Sequence, residues 1–187
     1  WSMRFRFLPT VIGHPLVGRM SEGFWDRELV KACDFYGWQY SLMSALAVSG
    51  SIMPAILPYE SDLLPGYKEF YKKWTAWAKT NFDYVKYTEP FGEQVQPGAV
   101  DGYARIQRDR GFIFLFNGNP RPSEITFEVG DEINLQEKGD FEFLELYPAN
   151  GGGLVLDDRG NSIFSWGQKT SITVPANACK LLELRRA

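Results

Sequence analysis

The chain has 187 residues, of which 44% are hydrophobic and 23% are charged, and its 20 basic and 23 acidic residues give a net charge of −3. These proportions predict a folded chain with a substantial apolar core, and they exclude a disordered, collagen-like or coiled-coil chain. The small negative charge offers no basic surface for a polyanion, so neither nucleic acid nor an anionic membrane is expected as a partner.

The first part of the chain is predicted to alternate strands with helices. Strands are predicted at 4–8 and 51–57, and helices at 22–36, at 38–48 and from residue 67 onward. Gly37 is expected to break or kink the helix between the first two of these ranges. The last helix is amphipathic, because its aromatic residues fall at helical spacing opposite its lysines. The order of these elements is typical of a parallel α/β sheet, but two such units cannot close an eight-stranded barrel.

A stretch rich in proline and glycine, 90–98, is predicted to be a linker. After it, eight short strands are predicted at 103–108, 112–116, 125–129, 141–147, 154–156, 162–166, 170–174 and 179–185. The first two should form a hairpin in which Gly111 takes a positive φ. The second strand is apolar on both faces, so it should lie centrally in a sheet and be covered on both sides. This pattern predicts an antiparallel β-sandwich.

Several stretches carry a family resemblance. They are VDGYARI at 100–106, RGFIFLFN at 110–117, ITVPANACKLLEL at 172–184, and the run 37–88 that contains IMPAILP at 52–58. The sequence resembles the C-terminal region of (β/α)8-barrel glycoside hydrolases of the α-galactosidase type. The resemblance implies a two-part α+β fold: residues 1–98 as the mainly helical end of an incomplete α/β barrel, and residues 99–187 as a C-terminal antiparallel β-sandwich of about eight strands.

The resemblance also implies a function. The two catalytic carboxylates of such enzymes would lie upstream of Trp1, and no pair of acids here maps onto that role, so no catalytic residue is assigned and enzymatic activity of this chain stays open. The chain is expected to be a non-catalytic portion that supports the catalytic barrel and contacts carbohydrate. The alternatives are a carbohydrate-binding module and a structural or assembly domain. The family suggests a secreted or periplasmic protein, and no cofactor is expected.

Two kinds of partner follow from this interpretation. One is carbohydrate. The other is the missing N-terminal barrel segment or, in its place, a second copy of the chain held through exposed apolar helix faces. No stretch of the sequence is long and apolar enough to predict a membrane-spanning helix.

Four residues are candidates for substrate contact. Glu60 and Asp62 follow the strand that the resemblance places last in the barrel, at the end where barrel enzymes hold their sites. His14 follows a predicted strand, and Trp166 is an aromatic residue beside a glycine in the predicted sandwich. Each has a plainer interpretation: solvated loop acids, a surface or structural histidine, and a packed tryptophan.

Other features favour structural roles. Cys33 and Cys179 are predicted to be buried thiols rather than a disulfide. The acidic run at 157–161 resembles a calcium loop, but it lacks the EF-hand spacing, so a plain hairpin turn is favoured and no metal site is predicted.

Overall fold

The computed structural model describes residues 35–48, 66–86, 89–91, 98–148, 153–157 and 159–187. The chain divides into two compact units, Trp1–Lys86 and Tyr87–Ala187. The predicted strands at 4–8 and 51–57 and most of the predicted helix at 22–36 lie outside the described residues.

The first unit contains helices α1 (Phe35–Val48), α2 (Tyr67–Thr80) and α3 (Phe82–Val85). Gly37 lies inside α1, so the helix does not break at this glycine. A glycine inside a helix costs about 1 kcal/mol relative to alanine. Four side chains of α1 are fully buried, which offsets that cost: Leu42, Met43, Leu46 and Ala47.

Helix α2 has the predicted amphipathic pattern. Trp74 and Ala78 are buried, whereas Lys72 and Lys79 are exposed. The large apolar side chains described in α1 and α2 are buried or half-buried, and Phe82 of α3 is the exposed one. Among the side chains described in α1 and α2, none is an exposed large apolar group of the kind that the expected helix-mediated dimer would use, and the dimer stays a prediction. None of the helices in the described ranges is long and apolar enough to cross a membrane.

The second unit is built from antiparallel strands, all eight predicted strands among them. In chain order they are β1 (Glu89–Phe91), β2 (Val100–Gln107), β3 (Arg110–Asn117), β4 (Ser123–Glu128), β5 (Asp140–Tyr147), β6 (Gly153–Leu154), β7 (Phe164–Ser165), β8 (Lys169–Val174) and β9 (Ala178–Arg186). A single 3₁₀ turn at Asp131–Ile133 follows β4.

The strands form two sheets. The larger has the order β1-β2-β3-β9-β5-β6, with β7 also paired to β5, and the smaller is the pair β4-β8. Strand β3 lies between β2 and β9, and every residue in it after Arg110 is buried. The prediction of a central strand that is covered on both faces is therefore confirmed.

A single apolar core joins the two sheets. It takes alternate residues of each strand, such as Ile113 and Leu115 from β3 and Ile125 and Phe127 from β4. The aromatic rings in it meet edge to face: the centroids of Phe127 and Phe143 are 6.2 Å apart. Burying one phenylalanine contributes about 1.5–3 kcal/mol, so this cluster is the main source of stability in the unit.

The β2–β3 hairpin differs from its prediction. Gln107 pairs with Arg110, so the turn consists of Arg108 and Asp109, and Arg108 takes the positive φ of 60°. Gly111 lies in β3, where a Cβ atom would stand 2.2 Å from the carbonyl oxygen of Arg105. Glycine is needed at 111 for this close approach of two backbones and not for the shape of the turn.

Candidate functional site

Of the four predicted contact residues, only Trp166 falls within the described part of the chain. His14, Glu60 and Asp62 lie outside the described residues. Trp166 is half-buried, and it packs in part against the core shared by the two sheets.

Trp166 stands on a tight turn from Ser165 to Gln168. The amide of Gln168 donates to the carbonyl oxygen of Ser165 at 3.0 Å, and Gly167 has a φ of 81°, which is the geometry of a type II turn with glycine at its third position. The side-chain oxygen of Gln168 accepts a hydrogen bond from the amide of Ser165 at 3.0 Å. The glycine that made Trp166 conspicuous in the sequence is therefore the residue that allows the turn.

Both central amides of this turn donate hydrogen bonds to backbone carbonyl oxygens of neighbouring segments. The amide of Trp166 donates to the carbonyl oxygen of Gly139, and that of Gly167 donates to the carbonyl oxygen of Val129, each at 2.9 Å. The amide of Val129 donates in return to the carbonyl oxygen of Gln168, also at 2.9 Å. These bonds fix the backbone from which the indole ring projects.

The ring of Trp166 lies beside Gly130 and Glu128. A Cβ atom on Gly130 would stand 3.4 Å from Cε2 of Trp166 and 3.2 Å from Oε1 of Glu128. Because Gly130 has no side chain, the indole edge of Trp166 and a carboxylate oxygen of Glu128 can both approach the position that its Cβ atom would occupy. The carboxylate of Glu132 accepts a hydrogen bond from the amide of Glu128 at 2.7 Å, which adds a second acid to this corner.

A second noteworthy region is the face of the larger sheet that is turned away from the shared core. We call it the aromatic face: Asp101, Tyr103, Arg105, Phe112, Phe114, Phe116, Cys179 and Leu181. Strand register arranges it in rows, with Tyr103 opposite Phe114 and Phe114 opposite Leu181. All eight side chains are buried, and the rings of Phe114 and Phe116 lie parallel with centroids 6.5 Å apart.

Two charged side chains lie within this apolar face. Arg105 is 1% exposed and Asp101 is 6% exposed. Burial lowers the pKa of Arg105 to about 9, because desolvation penalises the guanidinium more than its neutral form. Among the described residues, Asp101 is the one acid that is buried. The predicted burial of Cys179 is confirmed.

Asn117 is a fully buried polar residue at the end of β3. Its side-chain amide donates to the carbonyl oxygens of Arg121, Val174 and Pro175 at 2.8, 3.0 and 3.0 Å, and its Oδ1 accepts from the amide of Asn119 at 3.0 Å. Because Val174 ends β8 and Asn117 ends β3, this one side chain ties the two sheets together.

The loop at 157–161 is a tight turn, because the amide of Asp157 donates to the carbonyl oxygen of Asn161 at 2.8 Å and the amide of Gly160 donates to that of Asp157 at 2.9 Å. The strands β6 and β7 on either side of it pair with β5 and not with each other. Asp157 organises the loop: its Oδ1 accepts from the amides of Asn161 and Arg159 at 2.7 and 2.9 Å. These bonds, led by that from Asn161, lower the pKa of the Asp157 carboxyl. No group of three or more histidine, cysteine or acidic residues that could hold a metal ion occurs among the described residues.

Sequence reasoning found Trp166 but missed its neighbours. Glu128 ends a strand with a clear alternating pattern, and Gly130 follows it, but only the fold brings them to a turn nearly forty residues later. No local signal in the sequence marks Asn117 as the link between two sheets.

Comparison with protein-family models and with curated proteins finds no match. Among solved structures, α-galactosidase I from Mortierella vinacea is 16% identical, with a TM-score of 0.53, over 90% of this chain and 38% of that enzyme. A candidate α-N-acetylgalactosaminidase from Bacillus halodurans is 13% identical, with a TM-score of 0.51, over 80% of this chain and 32% of that one. This chain therefore shares the fold of part of these proteins and spans less than two fifths of their length. The predicted resemblance to α-galactosidase-like glycoside hydrolases is confirmed as a likeness of fold.

Proposed function

We propose that this chain is the C-terminal, non-catalytic portion of a glycoside hydrolase. In this proposal the unit Tyr87–Ala187 forms a β-sandwich that supports the catalytic barrel, and the unit Trp1–Lys86 contributes the last part of that barrel. The boundary lies before the predicted residue 98 because β1 pairs with β2. The observation that carries the proposal is the unequal coverage of the fold match. It takes in 80–90% of this chain but only 32–38% of the two solved proteins.

The aromatic face supports a role in holding a larger enzyme together. A sheet that faced solvent on one side would alternate apolar with polar residues, as antiparallel sheets usually do. Strand β3 instead carries buried phenylalanines at 112, 114 and 116 on the face that the shared core does not use. A sheet that is apolar on both faces suits a domain with a further layer packed over it rather than one with a face in water.

Hydrolysis assays test the proposal. This chain and the longer reading frame that extends upstream of Trp1 are each incubated with p-nitrophenyl α-D-galactopyranoside and with the corresponding N-acetylgalactosaminide. We expect turnover by the longer protein and none above background by this chain. Appreciable turnover by this chain alone would overturn the proposal, and so would an upstream frame that encodes no further strand–helix units.

A pair of variants in the longer protein tests the supporting role. Phe143 is fully buried in the core of the sandwich, whereas Leu156 is 56% exposed. Phe143→Ala should lower both the thermal midpoint and the temperature at which hydrolysis is lost, and Leu156→Ala should change neither. If Phe143→Ala lowered the melting temperature of the sandwich but left the thermal loss of hydrolysis unchanged, the sandwich would not be supporting the barrel.

A second candidate function is a carbohydrate-binding module that performs no chemistry. The half-buried Trp166 on its fixed turn is the observation that favours it. Calorimetric titration with oligosaccharides separates the two: heat of binding by this chain, together with no hydrolysis by the longer protein, would favour the module.

A further inference from the structure

We propose that Trp166 and Glu128 form a binding site for one neutral hexopyranose unit of a glycan, on the surface of the unit Tyr87–Ala187. The inference rests on the proposed function for its class of ligand, carbohydrate. It goes beyond that function by assigning the contact to two named side chains that lie together only in the folded chain.

The first argument is preorganisation. The turn that carries Trp166 is held by hydrogen bonds from the amides of Trp166 and Gly167 to two different neighbouring segments. Part of the indole packs against the core, and the rest remains accessible. A ring fixed in this way loses little conformational freedom when a ligand stacks on it, and that loss is one of the main costs of weak binding.

The second argument is the chemistry of the pair. The apolar face of a pyranose packs on an aromatic ring, and its hydroxyl groups donate to a carboxylate. Cε2 of Trp166 and Oε1 of Glu128 both lie within 3.4 Å of the position where a Cβ on Gly130 would stand. Among the described residues, no hydrogen bond or ion pair engages the Glu128 carboxylate or the indole N–H. The carboxylate of Glu128 can therefore accept a hydrogen bond from a sugar hydroxyl group, and the indole N–H of Trp166 can donate one.

The third argument is charge, which selects a neutral ligand. Glu128, Asp131 and Glu132 place three acids within five residues, and Glu132 is close enough to accept a hydrogen bond from the amide of Glu128. Lys169 is opposite Glu128 in the β4–β8 ladder but forms no ion pair with it within 4.0 Å. An acidic corner repels uronates and sulfated sugars and accepts neutral ones.

Nuclear magnetic resonance of the whole ¹⁵N-labelled chain tests the site, because each of its six tryptophans gives one indole N–H signal. The signal of Trp166 is assigned by its loss in Trp166→Phe. Methyl α-D-galactopyranoside, methyl α-D-glucopyranoside and D-galacturonic acid are the probes. We expect at least one neutral glycoside to move the Trp166 signal saturably, with a Kd on the order of 1 mM, and the acid to leave it in place.

Matched variants identify the carboxylate. Glu128→Gln keeps the shape of the side chain and should weaken binding about tenfold, because a charge-assisted hydrogen bond becomes a neutral one. Glu124→Gln removes an acid from the same strand away from Trp166 and should leave the affinity unchanged. Trp166→Ala should abolish binding, and the two glutamine variants keep the test valid even if that variant fails to fold.

Three results would overturn the inference: no saturable movement of the Trp166 signal with either neutral glycoside, equal affinity of Glu128→Gln and the unchanged chain, or equally strong binding of galacturonic acid. These outcomes are independent of the hydrolysis assays. Binding at Trp166 without hydrolysis by the longer protein would reject the supporting role alone, whereas hydrolysis without binding would reject this site alone.

Discussion

Replacing Asn117 by aspartate should destabilise the second unit strongly at neutral pH. The side-chain amide of Asn117 is fully buried and donates to the carbonyl oxygens of Arg121, Val174 and Pro175 at 2.8–3.0 Å. A carboxylate of the same shape has no proton to donate there. It would instead set the negative charge of a buried side chain against three carbonyl oxygen atoms.

The size of the effect follows from these contacts. Each lost hydrogen bond removes about 1 kcal/mol, and the carbonyl oxygen of the buried Val174, left unsatisfied, costs about 1–3 kcal/mol more. We therefore expect Asn117→Asp to lower the free energy of unfolding by roughly 4 kcal/mol or more at pH 7. That is a large share of the 5–15 kcal/mol typical of a whole domain.

The loss should depend on pH. Burial and the facing carbonyl oxygens raise the pKa of the introduced carboxyl in the folded state above its unfolded value of about 3.9. A raised folded pKa contributes stability below the unfolded pKa, where the protonated group donates to one carbonyl oxygen. That contribution is lost as pH rises through the folded pKa. The difference from the unchanged protein should accordingly widen from about pH 4 upward.

Urea unfolding at several pH values, followed by circular dichroism, measures this difference. Asn119→Asp is the matched control, because Asn119 is only partly buried and its side chain makes one bond of 3.3 Å, to Ser123. That variant should lose less stability and show a weaker pH dependence. A loss for Asn117→Asp of under about 1 kcal/mol, or one that does not change between pH 4 and 7, would refute the assignment of Asn117 as the link between the sheets.

Three further predictions follow from other contacts. Gly111→Ala should destabilise the hairpin by roughly 1–3 kcal/mol in thermal unfolding, whereas Gly153→Ala, which would meet no atom within 4 Å, should be nearly neutral; equal effects would contradict the close backbone approach. Phe143→Ala should lower the free energy of unfolding by about 3–5 kcal/mol in urea, and a loss below 1 kcal/mol would mean that the ring is not in the core. The amide signal of Asn161 should titrate with Asp157, with a midpoint below the ordinary 3.8, and a midpoint at or above that value would contradict the hydrogen bonds of the loop.

Short apolar or alternating runs between turn residues were enough to place the eight predicted strands. A strand that buries one face leaves a period-two pattern in its own sequence, and β3, which is buried on both faces, leaves a continuous apolar run. Such patterns were not enough for β1. That strand falls in a segment rich in proline and glycine, and it forms because Phe91 packs over Gly102 on the neighbouring strand, at contact distances that leave no room for a side chain at 102. The reason for this strand lies in its partner and not in its own residues.

The pairing between distant strands could not be predicted from the sequence either. Strand β4 pairs with β8, with Ile125 opposite Ile172, across more than forty intervening residues. An alternating pattern shows which residues face the core but not which strand is the neighbour. For the same reason Glu128 could not be connected with Trp166 before the fold was known, although each is visible in the sequence by itself.

Aromatic residues make up 16% of the sequence, and those of the second unit divide by location. One set, including Phe127 and Phe143, fills the core shared by the two sheets, and a second set forms the aromatic face of the larger sheet. Of the aromatic side chains whose burial is described in this unit, only Tyr147 and Trp166 are half-buried. Packing thus accounts for nearly all of the aromatic side chains described in this unit. Trp166 is the half-buried ring that stands beside a carboxylate with no ion pair, so a carbohydrate contact by this unit has its best-supported place at Trp166.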